Sequence, residues 1–99
     1  MWDYKALAKR MVEVASGGAH LQINCDLDEY FGLATEFDEM GLGSSERHGA
    51  IMYHVDGSPG IIIVPKDNEL AMDAAVRMRD EEVSIANGTF VPYMSTAEF

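Results

Sequence analysis

The side chains best suited to attack a substrate or to pass a proton are Cys25, Ser44, Ser45, Ser58, His20, His48 and His54. None stands in a Gly-x-Ser-x-Gly or comparable context that would aim and activate it. The serines sit among Gly and Pro residues, where turn formation accounts for them. Cys25 closes an alternating run, and burial there keeps it a thiol instead of a nucleophile. A metal site needs several convergent ligands. His48 and His54 would share a face of one strand yet stand roughly 20 Å apart along it. Asp26-x-Asp28-Glu29 opens like a calcium loop, but Phe31 occupies the sixth position, where Gly makes the sharp turn. Phe37 occupies the twelfth, where a bidentate Glu is required. Gly41-Leu42-Gly43-Ser44-Ser45 lacks the following Lys of a phosphate-binding loop. Carboxylates abound, but general acid–base work needs partial burial to shift their pKa. The expectation is a protein without catalytic residues, metal or cofactor.

What remains is charge. The 99 residues carry a formal net charge of −10. Residues 26–46 hold seven acids and no Lys or Arg, so this fifth of the chain carries most of the imbalance. That sign disfavours direct binding to nucleic acid, whose phosphates are met by Lys and Arg. It disfavours an anionic membrane likewise. It favours a basic protein surface, chiefly by accelerating encounter. The candidate partner-binding residues are therefore Asp26, Asp28, Glu29, Glu36, Asp38 and Glu39, with Tyr30, Phe31 and Phe37 as aromatic neighbours. The plainer reading of the same acids is solubility alone.

The elements that would hold these residues follow from periodicity. Tyr4, Leu7, Ala8, Met11, Val12 and Ala15 recur at helical steps over 3–16, with Asp3 as cap and Gly17-Gly18 as exit. Lys9 and Glu13 pair on the outer face. Residues 19–25 alternate as a half-buried strand, with Leu21, Ile23 and Cys25 inward. Residues 26–40 read two ways. As a strand, favoured here, Phe31, Leu33, Thr35 and Phe37 line one face, residues 26–29 form a hairpin loop, and neighbouring carboxylates repeat about every 7 Å. As a helix, Asp26 caps, Glu29 reciprocates, and Tyr30, Ala34, Phe37 and Met40 form the stripe. Gly32 weakens both. Residues 40–47 read as a loop, and 48–64 as a hairpin about the turn Asp56-Gly57-Ser58-Pro59-Gly60. Ile61-Ile62-Ile63-Val64 suits a strand buried on both faces. Residues 67–82 form a second helix whose alanines permit close approach to a sheet. Asn87-Gly88 either ends a longer helix or turns a hairpin between 83–86 and 89–91.

This order predicts one α+β domain over 1–99, an antiparallel sheet of three or four strands with two flanking helices in two layers. The single cysteine fits a reducing compartment and a cytoplasmic location. The start lacks a signal-peptide pattern, and no apolar run approaches membrane-spanning length.

In size, acidity and lack of motifs, carried by residues 26–46 and the net charge, the chain resembles small phage-encoded inhibitors of bacterial defence, of the anti-CRISPR and anti-restriction type. That resemblance implies a partner that is a basic nucleic-acid-binding protein or nuclease complex, engaged in the host cytoplasm at its nucleic-acid site. An immunity or antitoxin protein facing a basic nuclease is a close alternative. A different class is a small-molecule or metal-binding regulatory module, its pocket bounded by Tyr53, His54 and Tyr93. A homodimer is a further arrangement, in which Met-rich patches would be paired.

Overall fold

The computed structural model describes residues 3–86 and 89–94. The elements run α1 (Tyr4–Ser16), β1 (Ala19–Cys25), α2 (Leu27–Glu39), β2 (Ser44–Arg47), β3 (Ala50–Tyr53), β4 (Gly60–Pro65), α3 (Glu69–Ala86) and β5 (Thr89–Met94). The strands form one sheet in the order β2-β3-β4-β1-β5. β1 is parallel to both its neighbours, β4 and β5, while β2, β3 and β4 pair antiparallel. The α+β class stands, but the sheet is mixed, not antiparallel, and three helices flank it instead of two. Parallel neighbours need long crossovers. Here α2 and the β2–β3 pair intervene between β1 and β4, and α3 between β4 and β5.

The two-layer expectation gives way to helices on both faces. Leu21, Ile23 and Cys25 of β1 and Ile61 and Ile63 of β4 pack under α1 (Leu7, Met11) and α2 (Tyr30, Leu33, Phe37). The alternate residues Ile62 and Val64, with Ala50 and Met52, pack under Ala71, Ala74, Ala75 and Met78 of α3. The run 61–64 is thus buried on both faces, as its unbroken β-branched pattern implies. β1 is not half-buried. It lies between two strands and beneath helices on each side, so His20 and Gln22 are buried along with Leu21 and Ile23.

Residues Leu27–Glu39 resolve as helix, with Asp26 as its cap, against the strand reading. Asp26 Oδ1 accepts the Glu29 N–H at 2.9 Å, and the Asp26 N–H donates to Glu29 Oε1 at 3.4 Å, a complete capping box. The buried residues Tyr30, Leu33 and Phe37 follow helical steps, whereas Phe31 points outward. Met40, expected in the stripe, is exposed. Gly32 has a packing reason: a Cβ there would lie 2.5 Å from the Tyr4 ring, so the glycine lets α1 close on α2.

Two further departures are local. Ser44–Arg47 is a strand, joined to β3 through His48 and Gly49, both at positive φ (54° and 100°), as a tight two-residue hairpin demands. His48 is a less telling signal than Asn at that position, so the segment reads as loop. Residues 83–86 belong to α3 and 89–94 to β5, which removes the hairpin expected at 83–91; Asn87-Gly88 lie outside the described residues. Glu13 meets Arg10 at 3.8 Å, not Lys9.

Candidate binding site

The six candidate acids all sit on or at the cap of one helix, α2, which contains no Lys or Arg. The even ladder expected of a strand does not exist there. Residues two apart on a helix diverge by about 200°, so Glu36 and Asp38 do not project together. The acids fall into two groups, Asp26, Asp28 and Glu29 at the amino end and Glu36, Asp38 and Glu39 at the carboxyl end. About 10 Å of helix axis separates Glu29 from Glu36. Three ion pairs among the described residues, Arg10–Glu13, Arg47–Glu81 and Arg79–Asp80, join residues of other elements.

Of the amino-end group, Asp26 lines a cavity of about 380 Å3. One wall follows the end of β1 and carries Cys25, Asp26, Leu27, Tyr30 and Phe31. The other follows the end of β4 and carries Pro65, Lys66, Asp67 and Asn68. The topology explains the opening. β1 and β4 are adjacent and parallel, yet the helix after β1 packs on one face of the sheet and the helix after β4 on the other. Chains that part in this way leave a crevice beyond the carboxyl ends of the strands. Backbone pairing fixes its floor, since the Lys66 N–H donates to the Cys25 carbonyl at 2.9 Å.

Several interactions hold the walls. The Tyr30 hydroxyl donates to the Gly49 carbonyl at 2.6 Å, tying α2 to the β2–β3 turn. The Asn68 side-chain carbonyl accepts the Ala71 N–H at 3.0 Å and caps α3. Leu27 and Phe31, one turn apart on α2, stand 61% and 62% exposed at the rim. The Asp26 carboxyl lies below the usual carboxylate range, first because the Glu29 backbone N–H donates to it, with Lys66 adding attraction. Burial, with Glu29 and Asp26 adding to it, pushes the Cys25 thiol up to about 12, so it is protonated at neutral pH. The Tyr4 phenol is raised by desolvation and then by Asp26, Asp28 and Glu29, which marks where their field converges.

The other candidates take structural places. The Ser58 hydroxyl donates to the Ala19 carbonyl at 2.7 Å and accepts the Gly60 N–H, locking the β3–β4 turn to β1. His48 occupies a turn, His54 is exposed, and His20 is buried under α3. Among the described residues no three His, Cys, Asp or Glu side chains converge as a metal site requires. Also among them, no helix is long and apolar enough to cross a membrane. Of the pocket expected between Tyr53, His54 and Tyr93, the Tyr93 side chain lies outside the described residues. The Tyr53 ring is buried 4.8 Å from that of Phe37, and β3 is separated from β5 by two intervening strands. The cavity lies instead at the β1–β4 switch. Of its lining, sequence reasoning names Asp26, Tyr30 and Phe31 as candidates for binding but misses Leu27, Pro65, Lys66, Asp67 and Asn68. The spacing of Leu27 and Phe31, four apart and off the buried stripe, is the signal that points to the rim.

No family model, curated protein or solved structure matches this chain. A functional reading therefore rests on the site itself.

Proposed function

We propose that this chain is a non-enzymatic binding protein that attaches through α2 to a basic surface of a nucleic-acid-binding protein or nuclease complex. It acts as an inhibitor by occupying that surface, in the manner of anti-CRISPR and anti-restriction proteins. The observation that carries the reading is the composition of the outward side of α2. Two large apolar side chains, Leu27 and Phe31, stand exposed amid carboxylates on a helix without a cation. An apolar centre ringed by charge is the anatomy of an interface, the centre supplying affinity and the rim supplying encounter rate and selectivity. With the strand-spaced ladder gone, a phosphate-by-phosphate imitation of nucleic acid loses its geometric support, and engagement led by charge remains.

The test is capture of a partner from bacterial lysate by the tagged protein, followed by competition with DNA and RNA. The expected partner binds nucleic acid, is displaced by high salt and competes with the polynucleotide. It escapes a variant carrying Asp26→Asn, Asp28→Asn, Glu36→Gln and Asp38→Asn. Capture that is unchanged by those four substitutions refutes the proposal. An immunity protein would differ in its partner, a cognate toxin nuclease. The cavity favours a second reading, a regulatory module for a small ligand. A thermal-shift screen with nucleotides and divalent ions discriminates, because a ligand of the folded state raises the midpoint by mass action.

A further inference from the structure

We infer that the crevice between the ends of β1 and β4 takes up an arginine side chain of the protein partner, its stem against Leu27 and Phe31 and its guanidinium between the carboxylates of Asp26 and Asp67. This rests on the reading above and names the anchor it requires.

The volume of about 380 Å3 is that of a ligand pocket, not of a packing defect. Its lining selects the occupant by exclusion and then by fit. The usual attraction of a helix amino terminus for anions is opposed here. Asp26 accepts one of the free N–H groups of α2 and Asn68 one of those of α3, and a phosphate or carboxylate would also meet the two carboxylates in the walls. A cation suits the site better. Among the described residues Lys66 is the only positive side chain in the walls; against it stand Asp26 and Asp67, with Asp28, Glu29 and Glu69 in the first turns of the two helices. Among cations the apolar rim favours a guanidinium over an ammonium. The guanidinium is planar, weakly hydrated, stacks on an aromatic face and bonds two carboxylate oxygens at once. A protein is the source because the apolar surface does not end at the cavity. Leu27 and Phe31 stand proud of it, and only a surface larger than one amino acid covers them.

The experiment is a two-dimensional amide NMR titration of the full chain with a capped tri-arginine peptide, a capped tri-lysine peptide and arginine amide. Tri-arginine is expected to move the amides of 26–31 and 66–68 and to bind several-fold tighter than tri-lysine. The Phe31→Ala variant should lose about 3-fold, the size of an exposed cation–π contact. Combining it with Asp67→Asn should bring the loss to about 10-fold once a charge-assisted pair is also removed. The same spectra show that each variant is folded. If both peptides bind equally and the perturbation centres on 36–39, the crevice inference falls while charge-led binding stands. If arginine amide binds as tightly as the peptide, the protein source is wrong. If neither peptide moves any amide, both the inference and the binding reading fail.

Discussion

The two ends of α2 carry three carboxylates each, and the fold treats them in opposite ways. At the amino end Asp26, Asp28 and Glu29 meet the positive end of the helix dipole, Asp26 and Glu29 form its capping box, and Asp26 lines the crevice with Leu27 and Phe31. At the carboxyl end Glu36, Asp38 and Glu39 meet the negative end, where carboxylates are unfavourable by roughly 0.3–1 kcal/mol each at low salt. No basic residue occupies that last turn to offset them. Asp38 also raises the pKa of the Tyr53 phenol, after the larger effect of that ring's burial. The amino-end acids thus repay their place in stability, whereas the carboxyl-end acids do not. Equal charge counts therefore conceal opposite effects on the helix itself.

The sharpest way to break this comparison is to truncate one phenylalanine from each end. Phe37 is fully buried against Tyr53, and Phe37→Ala should cost about 3–5 kcal/mol in a urea melt. Phe31→Ala should stay within about 0.5 kcal/mol, as expected of an exposed side chain. A large loss for Phe31→Ala would make it a structural residue and remove it from the site. The middle of the helix comes next. Gly32→Ala gains about 1 kcal/mol of helix propensity but drives a methyl into the Tyr4 ring, a clash of roughly 1–3 kcal/mol. The net expectation is destabilisation, and Tyr4→Ala should restore the lost propensity gain in a double-mutant cycle. Gly32→Ala that stabilises the parent chain would show that α1 does not close on α2 there.

Charge substitutions are expected to have smaller effects, of opposite sign at the two ends. Glu36→Gln with Glu39→Gln should raise the thermal midpoint, while Asp26→Ala lowers it and Asp26→Asn, which keeps the cap but loses the charge, lowers it less. Calorimetry at low salt measures all three. The smallest effect concerns pH. Burial beneath α3 holds the His20 pKa below its ordinary 6.5, with Arg79 adding repulsion and a hydrogen bond to the Gly60 backbone working against both. The unfolded chain therefore takes up a proton that the folded one resists. The stabilisation is complete above pH 6.5 and is lost as pH falls below it toward the folded value. The midpoint of His20→Gln should be flatter than that of the parent over that window; parallel curves would rule His20 out as the cause.

Legibility in the sequence follows the range of the interactions involved. α1, β1, β4 and most of α3 are fixed by local periodicity and read directly. For residues 26–40 the capping box was visible, but Phe31-x-Leu33-x-Thr35-x-Phe37 mimicked strand alternation, and Gly32 looked like a defect because its reason, the Tyr4 ring, lies 28 residues away. The parallel pairing of β1 with β4 joins residues about 40 apart, such as Leu21 with Ile61, and no local pattern encodes it. The crevice is a product of that pairing. The acids could therefore be named in advance, whereas the Lys66, Asp67 and Asn68 wall could not.

The central claim is that contact is made at the amino end of α2. Two charge-matched variants test it: Asp26→Asn, Asp28→Asn and Glu29→Gln against Glu36→Gln, Asp38→Asn and Glu39→Gln, the first keeping a competent capping box. Affinity for the capped tri-arginine peptide is the readout. The account predicts a loss of about 10-fold or more for the first variant, and less than about 3-fold for the second. Equal losses would mean that net charge alone does the binding and that the crevice has no part in it.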